Sequence, residues 1–449
     1  MESLPVSPSI SQVNSIDVPT IAKDKEVEGV RGVEVGKDLK EIEDRHASDP
    51  SDDFPDGGTR AWLVTLGTML TGFATFGFVN SWGVFQSFYE ENLLKGTSPS
   101  SIAWIGSIQY ALIFLPGLLT GRMFDIGIFK IPFAIASVVI VASCFIIAEC
   151  TKHWHFLLVQ GIVFGLASGT VFGPSMGIIG HWFKKRRGLA LGITSLGSSI
   201  GGTIIPIAAR RLIEEVGFKW TMRIIGFILL AVMTVPNLTL RRRLPPKRVS
   251  GGIFNPHIFL SPVFSLYCLA IWVSFLGLYT VLTYIDISAI RIGISSDFSF
   301  YLVSIGNAAS LVGRLLSALM VDRCGPINFY APMTLCAGIL TYSWPFARSQ
   351  ASLIVVAILY GFFSGAFVAT FVLPVYEMGE IDDVGRRTGT IMSIAAIGAL
   401  IGPPISGAIN DASGGFEAVG YYAGSMIVLS CALMLFARHV ALRRLVGKF

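Results

Sequence analysis

Charge is what this sequence has least of. Only 14% of its 449 residues are Asp, Glu, Lys or Arg, roughly half the share of a soluble domain, which excludes an ordinary water-soluble protein. Cysteine is scarce too. Its six copies (Cys144, Cys150, Cys268, Cys324, Cys336, Cys431) are scattered, mostly in apolar runs, without a CxxC pair, which speaks against a disulfide framework and a zinc site. HExxH, P-loop and EF-hand patterns are missing, and no enzyme activity, metal site or cofactor site is expected. No long apolar run precedes Phe54, so no cleavable signal peptide is expected.

Apolar residues fill the space instead, at 53% of the chain and a mean hydropathy of +0.66. They fall into twelve segments, near 61–83, 102–121, 131–149, 155–178, 188–209, 220–240, 261–285, 298–320, 329–347, 351–376, 388–409 and 419–438. Most come close to the roughly 20 residues that a bilayer-spanning helix needs. The 48 glycines suit helices packed backbone to backbone in a membrane. An all-α membrane protein of twelve transmembrane helices is expected. Residues 1–55 hold 6 Lys+Arg against 13 Asp+Glu, too polar for a core, and read as a disordered acidic tail. A half over 56–240, a linker over 241–260, a second half over 261–438 and a short basic tail over 439–449 complete the organisation.

The basic residues lie in short loops, which argues for a membrane surface and against nucleic acid. They cluster on one side: Arg60, Arg122, Lys130, Lys184 to Arg187, Arg241 to Arg243, Arg323, Arg386, Arg387 and the C-terminal group. The positive-inside rule makes that side, with both termini, cytoplasmic. The cell membrane is the expected location, an internal membrane such as the vacuolar one the alternative.

The two halves repeat each other. Gly161, Gly165, Gly169 and Pro174 match Gly361, Gly365, Ala369 and Pro374 at an offset of 200, and Gly197 and Gly201 match Gly398 and Gly402 at 201. Leu118 to Gly121 with Asp125 match Leu315 to Ala318 with Asp322 at 197. A six-plus-six duplication with parallel halves resembles the architecture of the major facilitator superfamily, in which substrate binds between the halves.

Arg314 stands eight residues before Asp322, about 12 Å along a helix from its end. An arginine at that depth costs roughly 2.5–3.5 kcal/mol to insert and should face the protein interior. Ser304, Asn307, Ser310, Arg314 and Ser317 form a polar stripe at steps of three or four. A guanidinium there can grip a carboxylate through two parallel hydrogen bonds, or it can snorkel or pair with a structural acid. Asn80 interrupts an aromatic run and either contacts substrate or ties helices together. Tyr279, Phe363, Phe367 and Phe371 are candidate walls of a cavity. Gly161, Gly165, Gly169, Gly173 and Gly177, four residues apart, make one packing face, either sliding or static. Asp125 and Asp322 can accept helix N-terminal amides or pair with loop arginines, and read as conformational latches together with Arg186 and Arg187. Glu377, Glu380, Asp382 and Asp383, beside Arg386 and Arg387, read as largely solvated.

The run from His181 to Gly192, His-Trp-Phe-Lys-Lys-Arg-Arg-Gly-Leu-Ala-Leu-Gly, with Gly197-Ser198, resembles the fifth-helix signature of the monocarboxylate porter family. Asp56-Gly57-Gly58 with Trp62, and Gly402-Pro403-Pro404 with Asn410-Asp411, resemble that family's first- and eleventh-helix patterns, and Asn80 to Gln86 resembles its fungal branch. The resemblance implies transport of small carboxylates, often with a proton, and Arg314 matches the family's eighth-helix arginine, thought to bind the substrate carboxylate. Animal lactate carriers carry an aspartate where this chain has Ser310 and a lysine where it has Asn80, so the usual proton-coupling partners are missing. The expected function is a secondary transporter of a small organic anion or carboxylate-bearing metabolite by alternating access. An efflux carrier for a larger apolar metabolite is one alternative and a non-transporting nutrient sensor another. A small-molecule substrate and the bilayer are the expected partners, and nothing identifies an accessory subunit.

The loop charges generate a topological expectation. In a cysteine-free background, Thr97→Cys should react with an impermeant thiol reagent applied outside the cell, whereas Ser250→Cys should react only after permeabilisation. The reverse pattern would invert the orientation.

Overall fold

The computed structural model describes residues 54–245, 252–444 and 447. The acidic tail to Asp53 and residues 246–251 lie outside them, and with them the expected disorder of the tail and the linker position Ser250. Ten described helices are long and apolar enough to cross a membrane. They include α1 (Gly58–Leu93), α2 (Ser101–Asp125), α3 (Lys130–Ile147) and α4 (His153–Trp182). The continuous helical stretch Arg187–Thr239 holds two spans, broken at Gly217, whose φ of 77° suits only glycine without strain. These are α5 (187–216) and α6 (218–239). The second half comprises α7 (Pro262–Arg291), α8 (Ser296–Cys324), α9 (Pro326–Ser343), α10 (Gln350–Glu377), α11 (Ile381–Ser413) and α12 (Phe416–Leu442). With α9, less apolar than the rest, the spans number twelve, six in each half, as the segments required.

Water is excluded from the bilayer core, so each backbone amide must be satisfied within its own helix, and all twelve spans are helical for that reason. The faces turned outward are apolar: Ile131, Ile135 and Val138 on α3, Phe227 and Leu230 on α6, and Leu435 and Phe436 on α12 are all exposed. Such faces would be a liability in water and are the ordinary lipid contact in a membrane. At the end opposite the basic loops, Glu149 bridges α3 to α6 by accepting from Lys219 at 2.8 Å and Arg223 at 2.7 Å. Both bonds hold its carboxyl below the ordinary carboxylate range.

The glycine stripe of α4 lies against α2. A Cβ on Gly165 would meet Leu112 at 2.9 Å, on Gly169 the Leu112 carbonyl and the Pro116 ring, on Gly173 the Thr120 hydroxyl and on Gly177 the Phe124 ring at 3.1 Å. Its repeat in α10 does the same toward α8, with Gly361 against Gly306 and Gly365 against Ser310 at 2.7 Å. Both stripes are therefore packed within a half rather than between halves. The close contacts between halves use other residues. Gly117 and Gly121 of α2 meet Gly389 and Gly385 of α11, and Gly188 and Gly192 of α5 meet Val321 and Ala318 of α8.

Overpacking at a backbone contact costs about 1–3 kcal/mol. Gly169→Ala should lower the melting temperature in detergent by several degrees. Gly83→Ala, where a Cβ meets nothing within 4 Å, should leave it unchanged or raise it. Equal melting of both variants would contradict the α2–α4 packing.

Candidate functional site

Two helices break at matching places. α1 passes through a π-helical turn, Phe73–Gly77, and then loses its helical pattern at Asn80 and Ser81. α7 kinks at Tyr279, which separates Pro262–Leu278 from Thr280–Arg291. The two break residues are 199 positions apart, within the offsets of the internal repeat, and both face one cavity between the halves. Interrupted spans of this kind recur where transporters hold substrate, because the bend turns side chains inward.

The polar stripe of α8 supplies the cavity's chemistry, and it lies against α5 of the other half. Asn307 Nδ2 donates to the Gly202 carbonyl at 3.4 Å, the Ser310 and Ser199 hydroxyls are 2.7 Å apart, and an Arg314 Nη donates to the Ser195 carbonyl at 3.1 Å. Each step toward the end of α8 is matched by a step back along α5. Ser317 departs from the row by pairing with Thr370 on α10 at 3.0 Å. Arg314 is buried, and its Nε has no hydrogen-bond partner. Among the described residues no carboxylate lies within ion-pair distance of it.

Arg314, Ser310, Asn307, Asn80 and Tyr279 all line the cavity, so five of the six expected substrate residues are brought together. Phe367 is not among them. It is fully buried behind the wall, packed on Tyr330, and Phe371 takes the wall position. On a helix of 3.6 residues per turn, steps of four drift by about 40° each, so Phe363, Phe367 and Phe371 do not share one face. Phe371 alone of the three joins Gly361, Ser364, Gly365, Val368 and Val372 on the lining face. Reasoning from spacing treated that drifting row as one face. Asn80 lines the cavity and ties α1 to α2 by accepting from the Tyr110 hydroxyl. Tyr110 itself was missed. Its ring sits 5.2 Å from that of Tyr279 across the two halves, and only a three-dimensional packing of α2 on α7 reveals it. Phe76, Phe114, Phe172 and Met176 complete a wall that is largely apolar and aromatic. The free volume inside is about 70 Å³, room for a few waters rather than a metabolite.

Below the cavity, toward the basic loops, the halves are clasped twice. The Asp125 carboxylate accepts from the Gly385 and Arg386 amides at 2.9 and 2.7 Å, in the first turn of α11. The Asp322 carboxylate accepts from the Gly188 and Leu189 amides at 2.7 and 3.0 Å, in the first turn of α5. Each acid thus caps a helix of the opposite half, where unsatisfied amides and the helix dipole favour an anion. A third carboxylate, which spacing did not single out, is Asp56: it accepts from the Lys184, Lys185 and Arg186 amides at 2.7, 2.7 and 3.2 Å.

The two arginines expected to join the latch part company. Arg187 is buried, donates to the Phe183 carbonyl at 2.7 Å and to Glu377 across the halves at 3.1 Å, and lies over the Tyr376 ring. Arg186 is exposed and meets Asp56 through its backbone amide. The acidic cluster expected to be solvated is partly internal. Arg386 and Arg387 are buried, Arg386 bonding Asp383 at 2.6 Å and Arg387 the Glu380 carbonyl at 2.6 Å. α11 begins before this pair rather than after it, and so carries both into the packed interior.

The sequence pattern of the Major Facilitator Superfamily matches residues 64–371 and 268–448. The chain belongs to this superfamily. The facilitator is 36% identical over 396 residues to the aspyridones efflux protein apdF of Emericella nidulans, covering 87% of this chain and 80% of that one. It is equally similar, 36% over 396 residues, to the MFS transporter asaE of Aspergillus flavus, covering 87% and 90%. In fold it matches the human organic anion transporter MFSD10 (TETRAN) with a TM-score of 0.66 at 16% identity, over 84% of this chain and 98% of that one. The E. coli fucose:proton symporter FucP matches with 0.66 at 15%, over 84% and 99%. At such identities the likeness is one of fold alone. This facilitator is a multi-pass membrane transporter and not an enzyme.

Removing one clasp forfeits charge-assisted bonds worth about 1.5–3 kcal/mol. In a cysteine-free background with Ser198→Cys in the cavity, Asp125→Ala or Asp322→Ala should each speed labelling from the basic face by about tenfold. Unchanged labelling in both would show that the acids do not hold this side shut.

Proposed function

We propose that this facilitator exports an organic anion with an apolar, aromatic body, and that Arg314 is its anchor. The observation that carries the reading is a buried guanidinium in an aromatic cavity, with no carboxylate among the described residues to pair with. A bound carboxylate would supply the missing acceptor in a planar, two-bond geometry. Asn80, Asn307 and Ser310 would orient its polar atoms, and Tyr110, Tyr279 and Phe371 would enclose its body. The efflux named for the Emericella nidulans relative favours the export alternative over the uptake of a very small carboxylate, and the cavity's apolar walls agree with it.

Within the superfamily we place the chain in the fungal branch of the monocarboxylate porter family. The segment 181–192 that carries the resemblance forms the end of α4, the clasped loop and the start of α5. The basic face is taken as cytoplasmic and the plasma membrane as the location. The halves 56–240 and 261–438 rock about the cavity, the linker 241–260 and the tails 1–55 and 439–449 remaining in the cytoplasm. In this cycle Asp125, Asp322 and Arg187 hold the cytoplasmic side shut while the other side opens.

Arg314→Lys keeps the charge but not the two-bond grip. Its affinity for an aromatic carboxylate such as 1-naphthoate, measured by thermal shift of the purified protein, should fall ten- to a hundred-fold, in line with a loss of about 1.5–3 kcal/mol. Arg314→Gln should bind no better. Wild-type affinity in both variants would make Arg314 structural.

A further inference from the structure

Arg314 poses a charge problem that the protein alone does not solve. A carrier that rocks between two open states passes through one in which its cavity is shut on both sides. The cavity described above has about 70 Å³ free, and the two carboxylate clasps join the halves on its basic-loop side. Inside it the guanidinium has one acceptor, the Ser195 carbonyl, and a buried Nε with none. The residues lining the cavity include no Asp, Glu or His. Asp286 stands one turn beyond Leu282 on α7, outside the lining, and its carboxylate accepts the Ile287 amide at 2.6 Å.

A buried charge without a partner is strongly disfavoured relative to a paired one. A carboxylate on Arg314 cancels the charge, so the loaded carrier passes the shut state with a neutral site. The empty carrier must pass it with a net positive site. The neutral groups around Arg314 also leave no side chain in the cavity that could take up a proton in exchange for substrate.

Resting on the reading of Arg314 as an anion anchor, we propose that this facilitator is an obligatory exchanger of organic anions. One carboxylate leaves as another enters on the same guanidinium, one for one, with no proton carried by the cavity. For two monoanions the exchange moves no net charge.

The test uses the purified full-length chain in liposomes and labelled 1-naphthoate, with flux into protein-free vesicles subtracted. Uptake into vesicles preloaded with unlabelled 1-naphthoate should be at least tenfold faster than into vesicles without internal anion. An imposed pH gradient or potassium-diffusion potential should not change that ratio. Equal uptake into empty vesicles, or uptake into them driven by a pH gradient, would overturn exchange while leaving the anion site standing. Absence of both flux and Arg314-dependent binding would overturn the anchor and the exchange together.

Ser310→Asp places a carboxylate one helical turn from Arg314, where it can neutralise the empty site. It should reduce the preloading ratio to about twofold or less. A ratio that stays at tenfold would overturn the charge account. Asp286→Asn should keep the full ratio, and loss of the ratio there would move the coupling to Asp286 and overturn the proposal.

Discussion

The two halves are held at one end by four backbone amides on two carboxylates. Asp125 and Asp322 sit at or near the ends of α2 and α8, and each caps the first turn of a helix in the other half. Helix N-termini carry amides that no residue of their own helix can satisfy. The clasp therefore answers a need that both partners have, and it does so without an ion pair that must be desolvated. Its reach depends on close backbone approach. Gly121 faces Gly385, and Gly188 lies against the Asp322 carboxylate itself at 2.6 Å from where a Cβ would be. Any side chain at these glycines would push the carboxylate off its amides.

Closure at this end then fixes what lies above it. The α5–α8 contact begins at the Asp322 clasp and runs upward through Gly192 and Ala318 to Ser195 and Arg314, Ser199 and Ser310, and Gly202 and Asn307. The polar stripe is thus a continuation of the closed interface, and opening the clasped end would draw α5 away from it. With Arg314 as the proposed anchor, binding and closure share one helix pair, so a ligand that displaces the Ser195 carbonyl acts directly on the contact between the halves. Such coupling needs no relay through distant residues, only differential contact in the two states.

Helix number and the repeat were legible in the sequence because lipid permits only one satisfied backbone and because glycine spacing survives duplication. The positions of Arg314, Ser310 and Asn307 were legible for the same reason: charge and amides inside a span have few places to go. What was not legible depended on drift around a helix, on turns and on neighbours. Phe367 and Phe371 share a spacing, yet four-residue steps rotate around the helix and put only Phe371 on the cavity face. Arg186 and Arg187 are neighbours, yet the turn into α5 exposes one and buries the other. Tyr110 had no signal, being an aromatic residue in an apolar helix until α7 is placed beside it. Asp56 was legible as part of a signature but not as a cap, since its three amides come from residues more than a hundred positions away.

The symmetry of the scaffold and the asymmetry of the chemistry have one origin. At the offset of 197 that relates α2 to α8, Arg314 corresponds to Gly117. Gly117 packs on Gly389 and Met392 of α11, so the α2–α11 interface is dry and backbone-close where the α5–α8 interface carries a guanidinium. Two equivalent seams, clasped alike at their ends, thus differ in the middle, where Asn307, Ser310 and Arg314 stand in place of Tyr110, Ile113 and Gly117. A charge in that place gives one seam a buried cation and leaves the other packed backbone to backbone. Placing a second arginine at Gly117 would gain nothing, because two like charges across a closed cavity would each lack a partner. With Arg314 as the proposed anion anchor, a single cation in a duplicated fold holds one anion between the halves and still lets the halves meet.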